Sequence, residues 1–173
     1  MKAALMHLRK SSENVLDRDV GLMIAVIDID DIGQGRLMPG DGATYHSVQY
    51  RVLVFKPIRG ELIEGNVVEL MDFGAFIRMG PLDGLCHVSQ ICDDFITQDP
   101  KGNTLLGKET GRTLTEGDQV RARITSISFE SGNRSGKLGL TMRQPFLGKI
   151  GLDASWVEDD VKSARGNAKK KKK

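Results

Sequence analysis

Short segments in which apolar and polar residues alternate occupy most of the chain beyond residue 58. Val120, Ala122 and Ile124 alternate with polar neighbours, and the segment 138–142 repeats the pattern. A period of two is typical of strands that bury one face. Several such strands separated by turn residues indicate an all-β barrel.

The N-terminal part of the chain has a different texture. The pattern predicts an amphipathic helix over Ala3–Lys10, a buried strand over Gly21–Ile29 and a second strand over Tyr45–Phe55. Between the strands, Gly33–Gly42 is so rich in glycine that we expect an irregular loop. These elements predict a long hairpin packed on the helix, which is a small α+β unit.

Near residue 58 the sequence changes to repeated short strand-like segments, and this change divides the chain. We therefore predict an N-terminal domain over residues 1–58, a barrel over 59–150 and a Lys-rich tail over 151–173. Within the tail, the pattern of the earlier strands is lost, and Trp156 is the residue that we expect to dock.

The barrel is predicted to carry an insertion at about residues 91–116. The segment is long for a barrel loop, so it either forms a hairpin of its own or folds against the neighbouring unit. Asp99–Gly102 is the predicted turn within it.

Composition narrows the class of protein. The chain has 173 residues and 39% hydrophobic content, which is enough for a packed core. Its longest apolar run, Leu22–Ile27, is too short to cross a membrane, and two cysteines cannot form a disulfide framework. We therefore expect a cytoplasmic protein with no membrane contact.

The charge is unevenly distributed. Residues 162–173 hold 7 of the 25 basic groups and no acidic group, and the remaining 18 basic and 23 acidic groups give the body a net charge of −5. A cationic tail of this kind is most often a solvated end. If the body binds nucleic acid, it must do so through local patches and stacking.

The most informative segment is ELMDFGAFIRMGPLDGLCHVSQI, residues 69–91. Together with later residues, it resembles the ribosomal S1-type domain, a five-stranded oligonucleotide-binding barrel. The matching positions are Asp72–Phe76, Asp83–Leu85, His87, Ser89, Gly117–Asp118 and Leu138–Thr141. This resemblance implies an OB-fold that binds RNA.

Aromatic residues in this segment form a candidate base-stacking platform of Phe73, Phe76 and His87. Phe73 and Phe76 are three residues apart, so a regular strand would place them on opposite faces, whereas a bend at Gly74 could bring both rings to one surface. The alternative is that one phenylalanine belongs to the core and His87 caps a turn. A third interpretation buries both rings at a protein interface.

Basic residues of the later strands could contact phosphates. Arg121 and Arg123 share the outward face of one strand, and Lys137 and Arg143 share that of the next. The alternative is an ordinary solvated face.

The segment RLMPGDGATYHSVQYRVLVFKP, residues 36–57, precedes the barrel, and KLGLTMRQPFLGK, residues 137–149, closes it. With the barrel, they resemble the larger stalk subunit of archaeal and eukaryotic nuclear RNA polymerases over about residues 15–150. This resemblance implies a non-catalytic subunit without a cofactor. Its implied partners are the core polymerase subunits, a smaller helical stalk subunit and nascent single-stranded RNA.

The resemblance also implies a docking element for the core enzyme near the end of the predicted hairpin. The implied residues are Gly33, Gly35, Pro39, Gly40, Asp41, Gly42, Tyr45 and His46. Taken alone, this segment could equally be a long hairpin turn.

One departure from the family is expected at the N-terminus, where the family's first strand is missing. The alternative to a polymerase subunit is a free-standing S1-type RNA-binding protein of translation or of the exosome cap. The sequence MRQP and the short tail resemble the archaeal branch.

Two rival sites are weaker. Asp28, Asp30 and Asp31 resemble a metal-binding carboxylate cluster, but acidic residues at the end of a strand are usually solvated. Cys86, His87 and Cys92 lack the paired spacing of a zinc site, and Cys86 is expected to face the barrel core. We therefore predict no metal and no active site.

Overall fold

The computed structural model describes residues 2–99, 104–129, 137–151, 156 and 160. The chain divides after Lys56 into two compact units. Pro100, Lys101 and Gly102 of the predicted turn, the loop before Lys137 and most of the predicted tail lie outside the described residues.

The N-terminal unit consists of one helix and one antiparallel sheet. Helix α1 covers Lys2–Ser12, and strands β1, β2 and β3 cover Leu16–Asp17, Gly21–Leu37 and Thr44–Phe55. The strands lie in the order β1-β2-β3, so the hairpin of β2 and β3 forms most of the sheet. The α+β class expected from the sequence is confirmed.

Helix α1 is fixed to the hairpin by polar contacts. The Glu13 carboxylate, directly after the helix, accepts a hydrogen bond of 3.0 Å from the Val26 N–H, and the hydroxyls of Ser12 and Tyr50 lie 3.3 Å apart. The small core of this unit contains Leu16, Leu22, Val26 and Ile29.

The predicted loop over Gly33–Gly42 is wrong in its first part. Strand β2 continues to Leu37, so Gly33 and Gly35 are strand residues and the turn begins after them. A Cβ at Gly33 would overlap the Ser47 hydroxyl, and one at Gly35 would overlap the Thr44 methyl group. These glycines therefore permit close strand pairing rather than a turn.

Irregular pairing twists the hairpin. The register of β2 against β3 shifts four times, between Met23 and Ala25, Val26 and Asp28, Ile29 and Asp31, and Ile32 and Gly35. Each extra residue on one strand increases the local twist.

The second unit contains a closed barrel. Its strands are β4 (Leu62–Met71), β5 (Gly74–Arg78), β6 (Asp83–His87), β10 (Gln119–Ser128) and β11 (Lys137–Thr141). The sheet runs β11-β6-β5-β4-β10, and β10 also pairs with β11, which closes it. Strands β6 and β11 are parallel, whereas the other pairs are antiparallel. The predicted OB-type barrel is confirmed.

The barrel core follows the alternation seen in the sequence. On β10, for example, Val120, Ala122 and Ile124 are buried while Arg121 and Arg123 point outward. The other strands add Val67, Leu70, Ala75, Ile77, Cys86, Leu138 and Leu140.

The insertion forms a sheet of its own. Strands β7 (Ile96–Gln98), β8 (Thr104–Gly107) and β9 (Thr113–Thr115) pair antiparallel in that order. The final strand β12 (Gly148–Lys149) pairs with β10.

Trp156 is buried, as expected, and joins the core beneath the insertion. Its ring lies against Gly148, where a Cβ would overlap it, and the Arg112 guanidinium lies 5.3 Å from its centroid. Arg112 also pairs with Asp160 at 3.1 Å. The barrel unit therefore extends beyond residue 150. Among the described residues, no helix has the length and apolar character needed to cross a bilayer.

Candidate nucleic-acid interface

The two phenylalanines of the candidate platform lie at the β4–β5 turn. Met71 pairs with Gly74, so Asp72 and Phe73 form a two-residue turn and β5 begins at Gly74. Phe73 is therefore a turn residue rather than part of a bent strand, and Phe76 points outward from β5 because Ala75 and Ile77 fill the core.

This arrangement places both rings on one surface. Their centroids are 6.2 Å apart with an interplanar angle of 89°, which is an edge-to-face contact. Phe73 is 43% exposed and Phe76 is half-buried. We call Phe73 and Phe76 the ring pair. Its exposure leaves aromatic surface on which an unpaired base can stack.

Gly74 makes the close approach of β5 to β6 possible. A Cβ at this position would overlap the carbonyl oxygen of Cys86 on β6 and lie 3.0 Å from the Cα of His87. Since the overlap is with backbone, only a shift of one strand could relieve it. Gly74 therefore allows β5 and β6 to start pairing directly beside the ring pair.

His87 pairs with Gly74 across the strands and is exposed. Its Nδ1 lies 2.9 Å from the Ser89 hydroxyl and accepts the Ser89 N–H at 3.3 Å, so the side chain caps the one-turn 3-10 helix Val88–Gln90. The capping role considered from sequence is therefore present, and the exposed ring remains on the platform side of the barrel.

Two further residues extend the outward surface beside Phe76. Leu85 of β6 pairs with Phe76, and Gly139 of β11 pairs with Leu85. A Cβ at Gly139 would overlap the Ser126 hydroxyl. The cross-strand row of Phe76, Leu85 and Gly139 therefore ends at a position without a side chain. Sequence reasoning missed Leu85 and Gly139, although the alternation within Asp83–His87 indicates Leu85.

Three of the four predicted phosphate-binding cations are engaged within the chain. Arg121 donates to Glu64 at 2.7 Å, Arg123 donates to the Gly60 carbonyl at 3.2 Å, and Arg143 pairs with Asp93. Arg143 also lies beyond β11, which ends at Thr141, so its predicted place on that strand is wrong. The strand ends because Met142 instead donates its N–H to the Gln90 carbonyl.

Arg121 is also remote from the ring pair along β4. It pairs with Glu64, whereas Phe76 pairs with Glu69, five positions further. At about 3.3 Å per residue, these rows are roughly 16 Å apart.

Two other basic residues, Lys137 and Arg78, lie closer to the ring pair than Arg121 does. Lys137 is exposed at the start of β11, two residues before Gly139, and Arg78 is two residues beyond Phe76 on β5. Arg78 is held by Asp83 through bonds of 3.0 and 3.2 Å, and this pairing raises the pKa of Arg78. Sequence reasoning missed Arg78, although its spacing from Phe76 places both on one face.

The predicted docking residues lie at or near the end of the hairpin. Pro39–Gly42 fall in its turn, where Asp41 accepts hydrogen bonds from the Tyr45 hydroxyl and from the Ala43 N–H. Both bonds lower the pKa of Asp41. His46 Nδ1 lies 3.0 Å from the Gly33 carbonyl. Beside the turn, Leu37 and Met38 expose large apolar side chains.

The rival sites do not assemble. Asp28 and Asp30 form ion pairs of 3.5 and 2.9 Å with Arg51. Cys86 faces the barrel core as expected, and burial raises the pKa of its thiol to about 12. His87 points to the opposite side of β6 from Cys86. Over the part of the chain that the structure describes, no group of three His, Cys, Asp or Glu side chains could hold a metal.

Comparison with known proteins gives two family matches. The S1 RNA binding domain matches residues 56–133, and the SHS2 domain found in the N terminus of Rpb7p and Rpc25p matches residues 2–42. The matches follow the division of the chain into two units.

Individual relatives match most of the chain. The DNA-directed RNA polymerase subunit Rpo7 of Sulfolobus acidocaldarius is 38% identical over 93% of this chain and 85% of its own length. The DNA-directed RNA polymerase II subunit rpb7 of Dictyostelium discoideum is 24% identical over 86% of each chain.

A ribosomal relative matches a smaller share of the chain. The small ribosomal subunit protein bS1 of Leuconostoc lactis is 38% identical over 50% of this chain and 18% of its own length. The archaeal polymerase subunit, in contrast, covers 93% of this chain and therefore spans both units. The chain therefore belongs to the Rpo7 family of DNA-directed RNA polymerase subunits, and it groups with the archaeal members of that family.

Proposed function

We propose that this chain is a non-catalytic stalk subunit that docks on the core polymerase through its hairpin and binds emerging single-stranded RNA through its barrel. The observation that carries the RNA-binding part is the ring pair, exposed on the outer barrel surface beside Leu85 and His87. The subunit acts wherever the polymerase acts, which is the cytoplasm in an archaeal cell.

Stacking supplies most of the affinity in this mechanism. Each base that stacks on an aromatic side chain contributes about 1–3 kcal/mol to binding. This interaction does not depend on which base is bound, because every base has a π-face. Lys137 is the predicted cation that remains exposed near this surface, and it contributes phosphate neutralisation. The barrel thus captures the transcript reversibly as it leaves the enzyme.

Docking uses the other unit. The hairpin end exposes Leu37 at 74% together with Met38 and Tyr45, and the turn between the strands is braced by Asp41. Apolar surface of this kind is suited to burial against another protein. The core polymerase takes this end of the hairpin, and the smaller helical stalk subunit completes the stalk.

The RNA-binding part is tested by alanine substitution of each ring. Phe76→Ala and Phe73→Ala should each weaken binding of a ten-nucleotide oligouridine by roughly 5- to 100-fold, as expected for the loss of one stacked base. Fluorescence anisotropy measures the affinity, and thermal unfolding monitored by circular dichroism verifies that each variant is folded.

Phe95→Ala is the matched control, because Phe95 is 68% exposed but lies in the insertion. It should change the affinity less than twofold. Equal effects of Phe95→Ala and Phe76→Ala, or no effect of either ring variant, would refute the stacking surface.

The docking part is tested by co-purification with the core polymerase. The double variant Leu37→Asp, Met38→Asp should lose the core subunits because it places two carboxylates in a buried contact. Thr44→Asp, which adds one carboxylate at a neighbouring exposed position, is a graded control and should weaken recovery less. Full recovery of the core with the double variant would sink this part of the proposal.

A further inference from the structure

A cleft of about 400 Å³ opens on the outer surface where β4, β5 and β10 meet, and neither ring of the ring pair lines it. Its residues include Asn66, Val68, Arg78, Gly80 and Gln119. A volume of this size falls within the range of small-ligand sites. It has no role in the proposed stacking mechanism.

The floor of the cleft is shaped by a bulge and by glycine. The register of β4 against β5 shifts between Val67 and Glu69, so Val68 is the extra residue and lines the cleft. Gly65 has no room for a Cβ, which would overlap the Arg78 carbonyl, and Gly80 leaves open space. Val68 is therefore the aliphatic side chain of the cleft, and the two glycines add no side chain to it.

Two side-chain amides stand side by side at the rim. Asn66 and Gln119 are directly paired across β4 and β10, and both are exposed. Among the described residues, neither side-chain amide has a hydrogen-bond partner. An amide presents one donor and one acceptor in a plane, which matches the N6 and N7 positions of adenine.

The charges around the amides are balanced and fixed. Arg78 is held by both oxygens of Asp83, and Glu64 is held by Arg121 at 2.7 and 3.0 Å. Two parallel bonds orient the Arg78 guanidinium plane, and a fixed guanidinium plane is a surface on which bases stack. The site therefore favours a flat heteroaromatic group over a simple anion.

The cleft lies within reach of RNA bound at the ring pair. Arg78 follows Phe76 by two residues on the same face of β5, a separation of about 7 Å. Asn66 lies one strand further, about 4.8 Å across the sheet. A short single strand can therefore cover both surfaces.

We propose that this cleft binds one nucleobase of the RNA and prefers adenine, which Asn66 and Gln119 recognise through their amide groups. The proposal rests on the proposed function, since the ring pair delivers the RNA. It adds a base preference to binding that is otherwise indifferent to sequence.

The test compares two seven-nucleotide RNAs, one of uridine alone and one with a single central adenosine, using the full chain and fluorescence anisotropy. The parent should bind the adenosine-containing RNA at least roughly fivefold more tightly, the lower end of what one bidentate amide contact contributes. Asn66→Ala combined with Gln119→Ala should abolish this preference and change the affinity for oligouridine less than twofold.

Two variants guard the interpretation. Asn66→Asp keeps the shape of the side chain but removes its donor, so it should also lose the preference. Gln34→Ala removes an exposed amide in the N-terminal hairpin and should leave the preference intact. Thermal unfolding verifies the fold of each variant.

The possible failures are distinguishable. If the parent binds oligouridine but shows no adenosine preference, or if the double variant keeps it, the cleft proposal is overturned while the proposed function stands. If the double variant loses the smaller stalk subunit while keeping the preference, the cleft is a protein contact and the proposal is equally overturned. If the parent binds neither RNA, the proposed RNA-binding function fails and the cleft proposal fails with it.

Discussion

The two units of this chain solve the problem of burying a sheet in different ways. The barrel closes on itself, because β10 pairs with both β4 and β11, and residues from all five strands fill one core. Among the described residues, the sheet order is β1-β2-β3, so no strand pairs with the outer edge of β3, and the core of this unit is small. The hairpin exposes many large apolar side chains. These include Ile27, Ile32, Leu37, Tyr45, Leu53 and Val54.

The difference separates stability from association. A closed barrel has no free edge and needs no partner. A long hairpin with apolar residues exposed on its surface reserves that surface for contacts with other chains. We therefore expect equivalent substitutions to affect folding in the barrel and assembly in the hairpin.

The largest contrast is expected for a matched pair of isoleucines. Ile77→Ala in the barrel removes a side chain with 0% exposure and should lower the free energy of unfolding by about 2–5 kcal/mol. Ile27→Ala in the hairpin removes one that is 56% exposed and should change it by no more than about 0.5 kcal/mol. Urea unfolding monitored by circular dichroism measures both. Equal losses would mean that Ile27 is packed within the chain rather than exposed for contact with another protein.

A matched pair of glycines should give the next contrast. Gly74→Ala forces a Cβ into the backbone of β6 and should cost about 1–3 kcal/mol of unfolding free energy. Gly42→Ala, in the hairpin turn, meets no atom within 4 Å and should change stability by only a few tenths of a kcal/mol. Thermal unfolding distinguishes them, and a neutral Gly74→Ala would contradict the close approach of β5 and β6.

Within the barrel, the engaged and exposed cations should differ in their effect on RNA binding. Lys137→Ala should lower the slope of log affinity against log salt concentration by about 0.7, the value for one lost phosphate contact with a single strand. Arg121→Ala should leave the slope unchanged, because its guanidinium is bound to Glu64. A larger change for Arg121→Ala would show that RNA displaces this ion pair.

The smallest effect is expected in the turn of the insertion that follows β8. Asp94 accepts hydrogen bonds from the N–H groups of Thr110, Glu109 and Phe95 and from the Thr110 hydroxyl. These bonds, those from Thr110 above all, lower the pKa of Asp94 to about 2.

Because the folded-state pKa lies below the ordinary value of about 3.9, the carboxylate stabilises this turn above pH 4. That stabilisation is lost as the pH falls towards 2. Hydrogen exchange of the Glu109 and Thr110 amides should therefore accelerate on acidification, after correction for intrinsic rates. Asp94→Asn should remove most of this pH dependence, and an unchanged dependence would exclude Asp94 as its origin.

The sequence predicted the architecture well where local alternation decides the structure. The outward and inward faces of β10, the buried Cys86 and the α+β and barrel classes are all as expected. Hydrophobic alternation in a strand directly reports which face is buried, so a single sequence is sufficient for these features.

The prediction was poorer where distant residues decide the outcome. Gly33 and Gly35 look like loop residues until Ser47 and Thr44 are placed opposite them. Arg121 looks like a free cation until Glu64, 57 residues earlier, is found beside it. Strand register and cross-strand ion pairs arise only after the chain has folded, so local patterns do not contain them.

Trp156 bears on how the second unit could be produced on its own. A fragment that stops at residue 150, where the strand pattern fades, would leave Arg112 without the indole and without Asp160. It would also uncover the hollow beside Gly148 and the apolar residues under β8 and β9. A recombinant barrel with an intact insertion should therefore include the chain at least as far as Asp160.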